Sequence, residues 1–370
     1  MAQRGVGKAP AAEGFRLPAE WEPHEATWIG WPHNLTDWPG KFAPVPWVYA
    51  EIVRKITPGE MVRILVNSRA HEARARRVLA RVGVDLSRVE FFRFPTNRGW
   101  TRDFGPMFVK RDRPRHEDSR QQIPRPDVAI VGFGFNGWAK YPDWQRDNQV
   151  PTRAARALRR RLFLPQVKGR NFVLEGGSIE VNGRGTLLTT EECLLHPSVQ
   201  VRNPGCTQQD IETTFRDYLG VTNVLWLGQG IAGDDTHGHI DDLCRFVGPR
   251  TLVLCQEDDP HDANYRPLQE NRARLEGMRL EDGARLEVVP LPMPAPIYLD
   301  GQRLPASYAN FYISNAAVLV PTFNDPKDRV AVGTLAEVLR DRPVIGIHAV
   351  DLVWGLGTLH CLTREQPAIE

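Results

Sequence analysis

Short apolar runs broken by polar or glycine-containing turns return along the whole chain, at 27–32, 89–110, 171–189, 223–255, 308–323 and 344–362. Runs of this kind, bounded by turn residues, favour buried strands. Helix-like stretches separate them. The stretch 47–56 follows Pro46, a residue suited to a first helical turn. Arg69–Arg81 is rich in Ala and Arg and follows Asn67 and Ser68, either of which makes a good N-cap. The stretches 152–164, 207–219 (closed by Gly220) and 330–339 follow the same logic. Taking Trp28, Trp100, Glu175, His239 and Tyr312 as markers, the intervals are 72, 75, 64 and 73 residues. Such spacing is the mark of a structural repeat, although the identities do not recur. Strand-like blocks at both ends would let the first and last segments pair. The pattern therefore predicts an α/β fold in which similar β-rich units close on themselves with helices outside. An open mixed α/β sheet is the alternative.

Composition narrows the function classes. Lys and Arg total 47 against 45 Asp and Glu, a net charge of +2, without the basic surplus of a dedicated nucleic-acid binder. With 41% apolar and 25% charged residues among 370, the chain has the make-up of a folded protein. No run approaches the roughly 18 apolar residues of a membrane span. Five dispersed cysteines without a CxxC pair argue against a disulfide scaffold and a four-thiolate zinc site. Residues 1–14 are Ala/Gly-rich without an apolar signal core and read as a disordered tail, leaving 15–370 as a single catalytic domain. A reducing, cytoplasmic setting is expected.

Polar residues gather at the turns, where a rigid scaffold presents them. Four clusters stand out: Trp100 to Asp103 in a turn bounded by Gly99 and Gly105; Glu175 before Gly176 and Gly177; 233–242, with Asp234, Asp235, His237, His239, Asp241 and Asp242; and Cys361 after the glycine-rich turn 354–358. Each has an ordinary structural reading. Trp100 fills a core, Asp103 pairs with Arg102, Glu175 sits in a hairpin, and Cys361 is a small buried hydrophobe. The third cluster resists one, since four carboxylates and two histidines in a short stretch repel unless they meet a cation or each other. Zinc or iron held by His237, His239 and Asp241 is one answer, but it leaves Cys361 and Trp100 idle. A guanidinium uses more of the set. It is planar, permanently positive and matched to paired carboxylates, here Asp103 and Asp241. Its carbon is resonance-protected and calls for a thiolate, and a histidine must pass protons to departing ammonia and from attacking water. The same carboxylates oppose the thiolate before substrate binds, so binding and Cys ionisation are coupled.

At these residues the sequence resembles the agmatine deiminase family, from Leu17 to Pro367. The matching motifs run from Pro18 to Glu25, Asp37 to Gly40, Trp100 to Asp103, Leu174 to Gly177, His237 to Asp242, Pro305 to Tyr312, Pro321 to Asp325 and Gly355 to Cys361. The resemblance implies a pentein fold, a five-bladed α/β propeller of ββαβ-type units. It also implies conversion of agmatine and water to N-carbamoylputrescine and ammonia, with no metal or organic cofactor. By motif match Cys361 is the nucleophile and His239 the general acid/base. Asp103 and Asp241 bind the guanidinium, and Glu175 stands near the histidine. Trp100, Asp235 and Gly357 are expected to contact substrate, Trp100 by stacking and Asp235 at the amine tail. A homodimer, without nucleic-acid or membrane partners, is the family expectation. Two departures are Phe104, in place of a small polar residue and able to reshape the pocket, and the Arg-rich segment 110–125. Related bacterial peptidylarginine deiminases keep larger guanidines open as substrates. A non-catalytic guanidine or polyamine sensor is disfavoured, because a binder has no use for the thiol.

Overall fold

The computed structural model describes residues 8–112 and 127–369. Helices start and stop where local chemistry directs. Arg69–Arg81 is capped by the Ser68 hydroxyl, which accepts the His71 N–H at 3.1 Å. Gln208–Leu219 opens on a reciprocal Thr207–Asp210 capping box and closes on Gly220 in the left-handed region at φ 69°. Val45–Ile56 and Asp328–Val338 lie within two residues of expectation. The stretch 152–164 is a correction: the helix is Val150–Ala157, and Leu162–Phe163 is a strand beside Ile130 and Val131. Arg159, at φ 53°, turns the chain between them, and a non-glycine residue in the left-handed region gives no sign of itself in the sequence. The helix Tyr265–Gly277 lacked a sequence signal because its buried face is only Leu268, Asn271 and Leu275.

Five sheets share one construction: a first strand antiparallel to a second, then a helix, then a third strand parallel to the second. They begin with Thr363–Pro367 beside His24–Gly30, Met107–Arg111 beside Asp127–Val131, Glu180–Val181 beside Thr186–Thr190, Cys244–Phe246 beside Thr251–Gln256, and Tyr312–Ile313 beside Val318–Thr322. The parallel third strands are Met61–Leu65, Leu162–Phe163, Asn223–Leu227, Glu287–Pro292 and Val344–His348. Parallel pairs require such crossovers, which is where the helices lie. In the first sheet the chain ends meet, with Thr27 opposite Glu365 and Ile29 opposite Thr363. A fourth strand, Val89–Phe92, extends that sheet.

The expected tail 1–14 is corrected over its described part. Pro10–Glu13 is a 3-10 helix, and Glu13 is held by Arg161 at 2.5 Å. Of the segment 110–125, residues 113–125 lie outside the described residues. All five cysteines are free. Among the described residues no helix is long and apolar enough to cross a membrane.

Buried charge ties the ends of the chain together. Glu20 Oε1 accepts Arg245 Nη2 at 2.9 Å and the Ile313 N–H at 2.8 Å, while Oε2 meets Arg102 at 3.1 Å and His360 Nε2 at 2.7 Å. Burial pushes this carboxyl up, but Arg245, His360 and Arg102 outweigh it and hold it well below the usual range. Its stabilising contribution is therefore present above the ordinary value of 4.5 and is lost as pH falls through the depressed folded value. Glu20→Gln is expected to cost about 3 kcal/mol in urea unfolding, because it takes one carboxylate from His360 and from two buried guanidinium groups, leaving Arg102 with Glu365 and Arg245 with Glu180. A loss under about 1 kcal/mol would show the network to be dispensable.

Candidate active site

Single helical turns just ahead of the first strands carry the chemistry. Thr101–Phe104 precedes Met107–Arg111 and holds Asp103. Glu175 caps Gly176–Ser178, ahead of Glu180–Val181. His239 and Asp241 lie at the turn Ile240–Asp242, before Cys244–Phe246. Cys361 lies in Leu359–Leu362, leading into Thr363–Pro367.

These turns converge. Nδ1 of His239 lies 3.8 Å from both Asp103 Oδ1 and Asp241 Oδ1. Asp103 Oδ1 also accepts the Gly177 N–H at 3.0 Å, and Oδ2 accepts Trp138 Nε1 at 2.8 Å. A Cβ at Gly177 would stand 2.5 Å from His239 Nδ1, so the backbone passes where no side chain fits. Asp241 Oδ2 bonds His360 Nδ1 at 2.7 Å and receives the Cys361 thiol at 3.7 Å. Gly357 is equally constrained: its Cβ would lie 2.9 Å from the Trp100 ring and 3.2 Å from Cys361 Sγ. Trp100 packs on Trp38 and, with Asp103 and Cys361, lines a cleft that also holds the buried Asp37 and Arg98 and the more exposed Asp235. A second cavity of about 240 Å³, near Lys168 and Cys206, contains none of the predicted residues.

The electrostatics are those of a buried acidic pocket. Glu175, His239 and Asp241 are fully buried, and among the described residues Glu175 Oε2, both His239 ring nitrogens and Asp241 Oδ1 have no hydrogen-bond partner. Burial raises Asp103, with further pushes from Asp241 and Glu175. Burial also raises Asp242, next to Asp241, whereas His360 and His239 hold Asp241 down against its own desolvation. For His239 burial pulls downward, yet Asp103, Cys193 and Asp241 prevail and lift it well above 6.5. Burial, then Asp241, Asp242 and Asp103, push the Cys361 thiol well above its ordinary value. The resting pair at neutral pH is thus imidazolium and thiol, and a cation between the carboxylates is what would release the thiol proton.

All eight predicted residues fall in this region, with Asp235 at the rim, bonded to Lys140 at 2.5 Å and the Tyr141 hydroxyl at 2.8 Å. The metal reading loses its geometry. His237 donates Nδ1–H to the Glu192 carbonyl at 3.0 Å, with its ring edge-on to His196. Among the described residues the ligand-type atoms within 4.8 Å of one another are instead Glu175, Cys193, His239 and, separately, Asp241, Asp242, Cys361. Phe104 does not shape the cleft; it is buried against Phe135. Arg102 turns away to Glu365 and Glu20.

Sequence reasoning missed Arg202 and gave Asp234, within the cluster 233–242, no separate role. Arg202 Nε bonds Glu175 Oε1 at 3.2 Å. Asp234 Oδ2 accepts the Gly238 and His239 N–H groups at 2.7 and 2.9 Å and sets the histidine turn. Glu20 lies within the motif from Pro18 to Glu25, and nothing in its local sequence marks its role.

The sequence profile of the Porphyromonas-type peptidyl-arginine deiminases matches residues 16–367. The chain is 37% identical to the agmatine deiminase of Pseudomonas aeruginosa (strain LESB58), over 97% of each chain. Its fold is similar to that of Enterococcus faecalis agmatine deiminase, with TM-score 0.86 and 31% identity over 99% of each chain. It is also similar to that of C. jejuni agmatine deiminase, with TM-score 0.77 and 28% identity over 95% of each.

Proposed function

Because the chain belongs to the Porphyromonas-type peptidyl-arginine deiminase family, we propose that it hydrolyses a guanidinium group and that its substrate is agmatine. The observation that carries this reading is the set of unpartnered acceptors, Glu175 Oε2 and Asp241 Oδ1, buried beside Cys361 and His239. Buried acceptors without donors are costly, and a guanidinium brings five N–H donors and the missing positive charge.

In the proposed reaction the guanidinium lies on Trp100 between Asp103 and Asp241, and the Cys361 thiolate adds to its central carbon. The C–N bond to one NH2 group breaks, and His239 supplies the proton with which ammonia departs. A thiouronium remains on Cys361. Water, losing one proton to His239, adds to the same carbon, and the C–S bond breaks to return the thiolate and N-carbamoylputrescine, the remaining hydroxyl proton passing to the released ammonia as ammonium. Gly357 gives the ring and sulfur their close approach. The reading includes a single domain, expected from residue 15 and extended by the Pro10–Glu13 turn that Arg161 holds, with the five sheets as blades of a pentein propeller. A ring of that kind accounts for site groups arriving from successive sheets.

Agmatine is favoured over arginine by charge in the cleft. The cations there are already engaged: Arg98 by Asp37 and by Asp143 at 3.0 Å, and Lys140 by Asp235. Burial lifts Asp37 to about 7 despite Arg98. An α-carboxylate would enter an acidic cleft without a free cation among the described residues and lose its water unpaired. The expected preference for agmatine over arginine in kcat/KM is at least ~100-fold, roughly 2.7 kcal/mol. The test is ammonia release from agmatine, arginine and peptides with internal or C-terminal arginine. Parity between the first two, or preference for a peptide, would overturn the substrate reading and leave the thiol chemistry standing.

A further inference from the structure

We propose that Asn310 is a further catalytic residue, donating its side-chain amide N–H to the Cys361 sulfur and stabilising the thiolate. The inference rests on the deiminase reading of the site and extends it. Four of the five sheets send a site group from the turn ahead of their first strand. The fifth sheet begins at Tyr312–Ile313, and the corresponding position is Asn310, which is 1% exposed.

The contacts fix which way the amide points. Its Oδ1 accepts the backbone N–H of His360 at 3.0 Å and that of Cys361 at 3.3 Å, and the Thr358 hydroxyl at 2.9 Å. Backbone N–H groups only donate, so the oxygen faces them and Nδ2 faces the other side. Nδ2 donates to Cys361 Sγ at 3.1 Å and to Asp242 Oδ1 at 2.9 Å, which uses both of its hydrogens. The segment itself is clamped. Arg245, fully buried, donates to the carbonyls of Ala309 at 3.1 Å and Phe311 at 2.7 Å, one on each side of Asn310. A donor held this firmly needs no reorganisation when charge develops on sulfur.

The surroundings explain why a neutral donor is used. Asp241, Asp242 and Asp103 all oppose the thiolate, and the Asn310 amide acts against them. A lysine or arginine in its place would favour the thiolate more strongly but would repel a guanidinium arriving at the same carbon. An amide stabilises the sulfur anion without charging the pocket. It serves twice, when the thiolate attacks and when it leaves the thiouronium.

The test compares wild type with Asn310→Ala and Asn310→Asp, reading alkylation of Cys361 by iodoacetamide across pH, located by peptide mass, alongside agmatine kcat and KM. Asn310→Asp keeps an oxygen for the two backbone N–H groups but adds a charge beside the sulfur, so it controls for collapse of the turn, while Asn310→Ala reads loss of the donor without added charge. In both variants Cys361 alkylation is expected to slow by ~10-fold or more at neutral pH, with the pH curve displaced upward. The kcat should fall ~10- to 100-fold with KM within about threefold. A purely structural role would lower thermal stability and raise KM while leaving the alkylation curve in place. Superimposable alkylation curves for wild type and a folded variant would overturn the proposal. Failure of wild type to turn over any guanidine would instead refute the deiminase reading, while the alkylation comparison would still decide the Asn310 contact.

Discussion

Cys361→Ala is expected to lose at least ~10⁴-fold in agmatine kcat while still binding agmatine, the scale seen when a nucleophile is removed from a unit that acts together. The physical reason is specific to this pocket. The groups proposed to bind the cation, Asp103, Asp241 and Glu175, stand on other turns and are held by Trp138, His360 and Arg202. Removing Sγ leaves those anchors intact. It also removes a group whose ionisation Asp241, Asp242 and Asp103 oppose, so affinity for a dication has no electrostatic reason to fall. Calorimetric titration of the variant with agmatine should therefore give a dissociation constant within about tenfold of the wild-type KM. Turnover above ~1% of wild type would refute the thiol mechanism.

His239→Gln is expected to cost ~10²- to 10⁴-fold, the range for a positioned general acid/base. Glutamine can fill the space but can neither protonate departing ammonia nor take a proton from water. A thiouronium that forms should accumulate, and intact mass would detect it on Cys361. The pH dependence adds a signature. The raised His239 value keeps the imidazolium through neutral pH, so steps that need its proton persist there and fail as pH rises through that value. The wild-type rate should carry this alkaline limb, and the variant's residual rate should lack it. A variant with wild-type rate and an unchanged limb would assign the proton transfers to another group.

What the sequence by itself determined is whatever consecutive residues encode. Ser68 and Gly220 mark helix ends because a hydroxyl or a left-handed glycine answers a local backbone need. The chemistry-bearing turns were legible for the same reason: carboxylates, histidines, glycines and a cysteine concentrated between apolar runs are conspicuous without knowledge of what they face. The tertiary structure decided everything that depends on neighbours distant in the chain. Phe104 turned out to be core packing against Phe135, and Arg102 a buried partner of Glu20 and Glu365. His237 stands beside His239 in sequence, but at φ 65° its backbone turns and its Nδ1 serves the Glu192 carbonyl. Asn310 and Glu20 carry no signature of their own, since an amide or a carboxylate among apolar residues is defined only by its partner. The protonation of the central pair belongs to the same class. Burial and carboxylates from two separate turns, Asp103 on one and Asp241 and Asp242 on the other, set the states of Cys361 and His239, because desolvation and Coulomb energy depend on distance in space and not on distance along the chain.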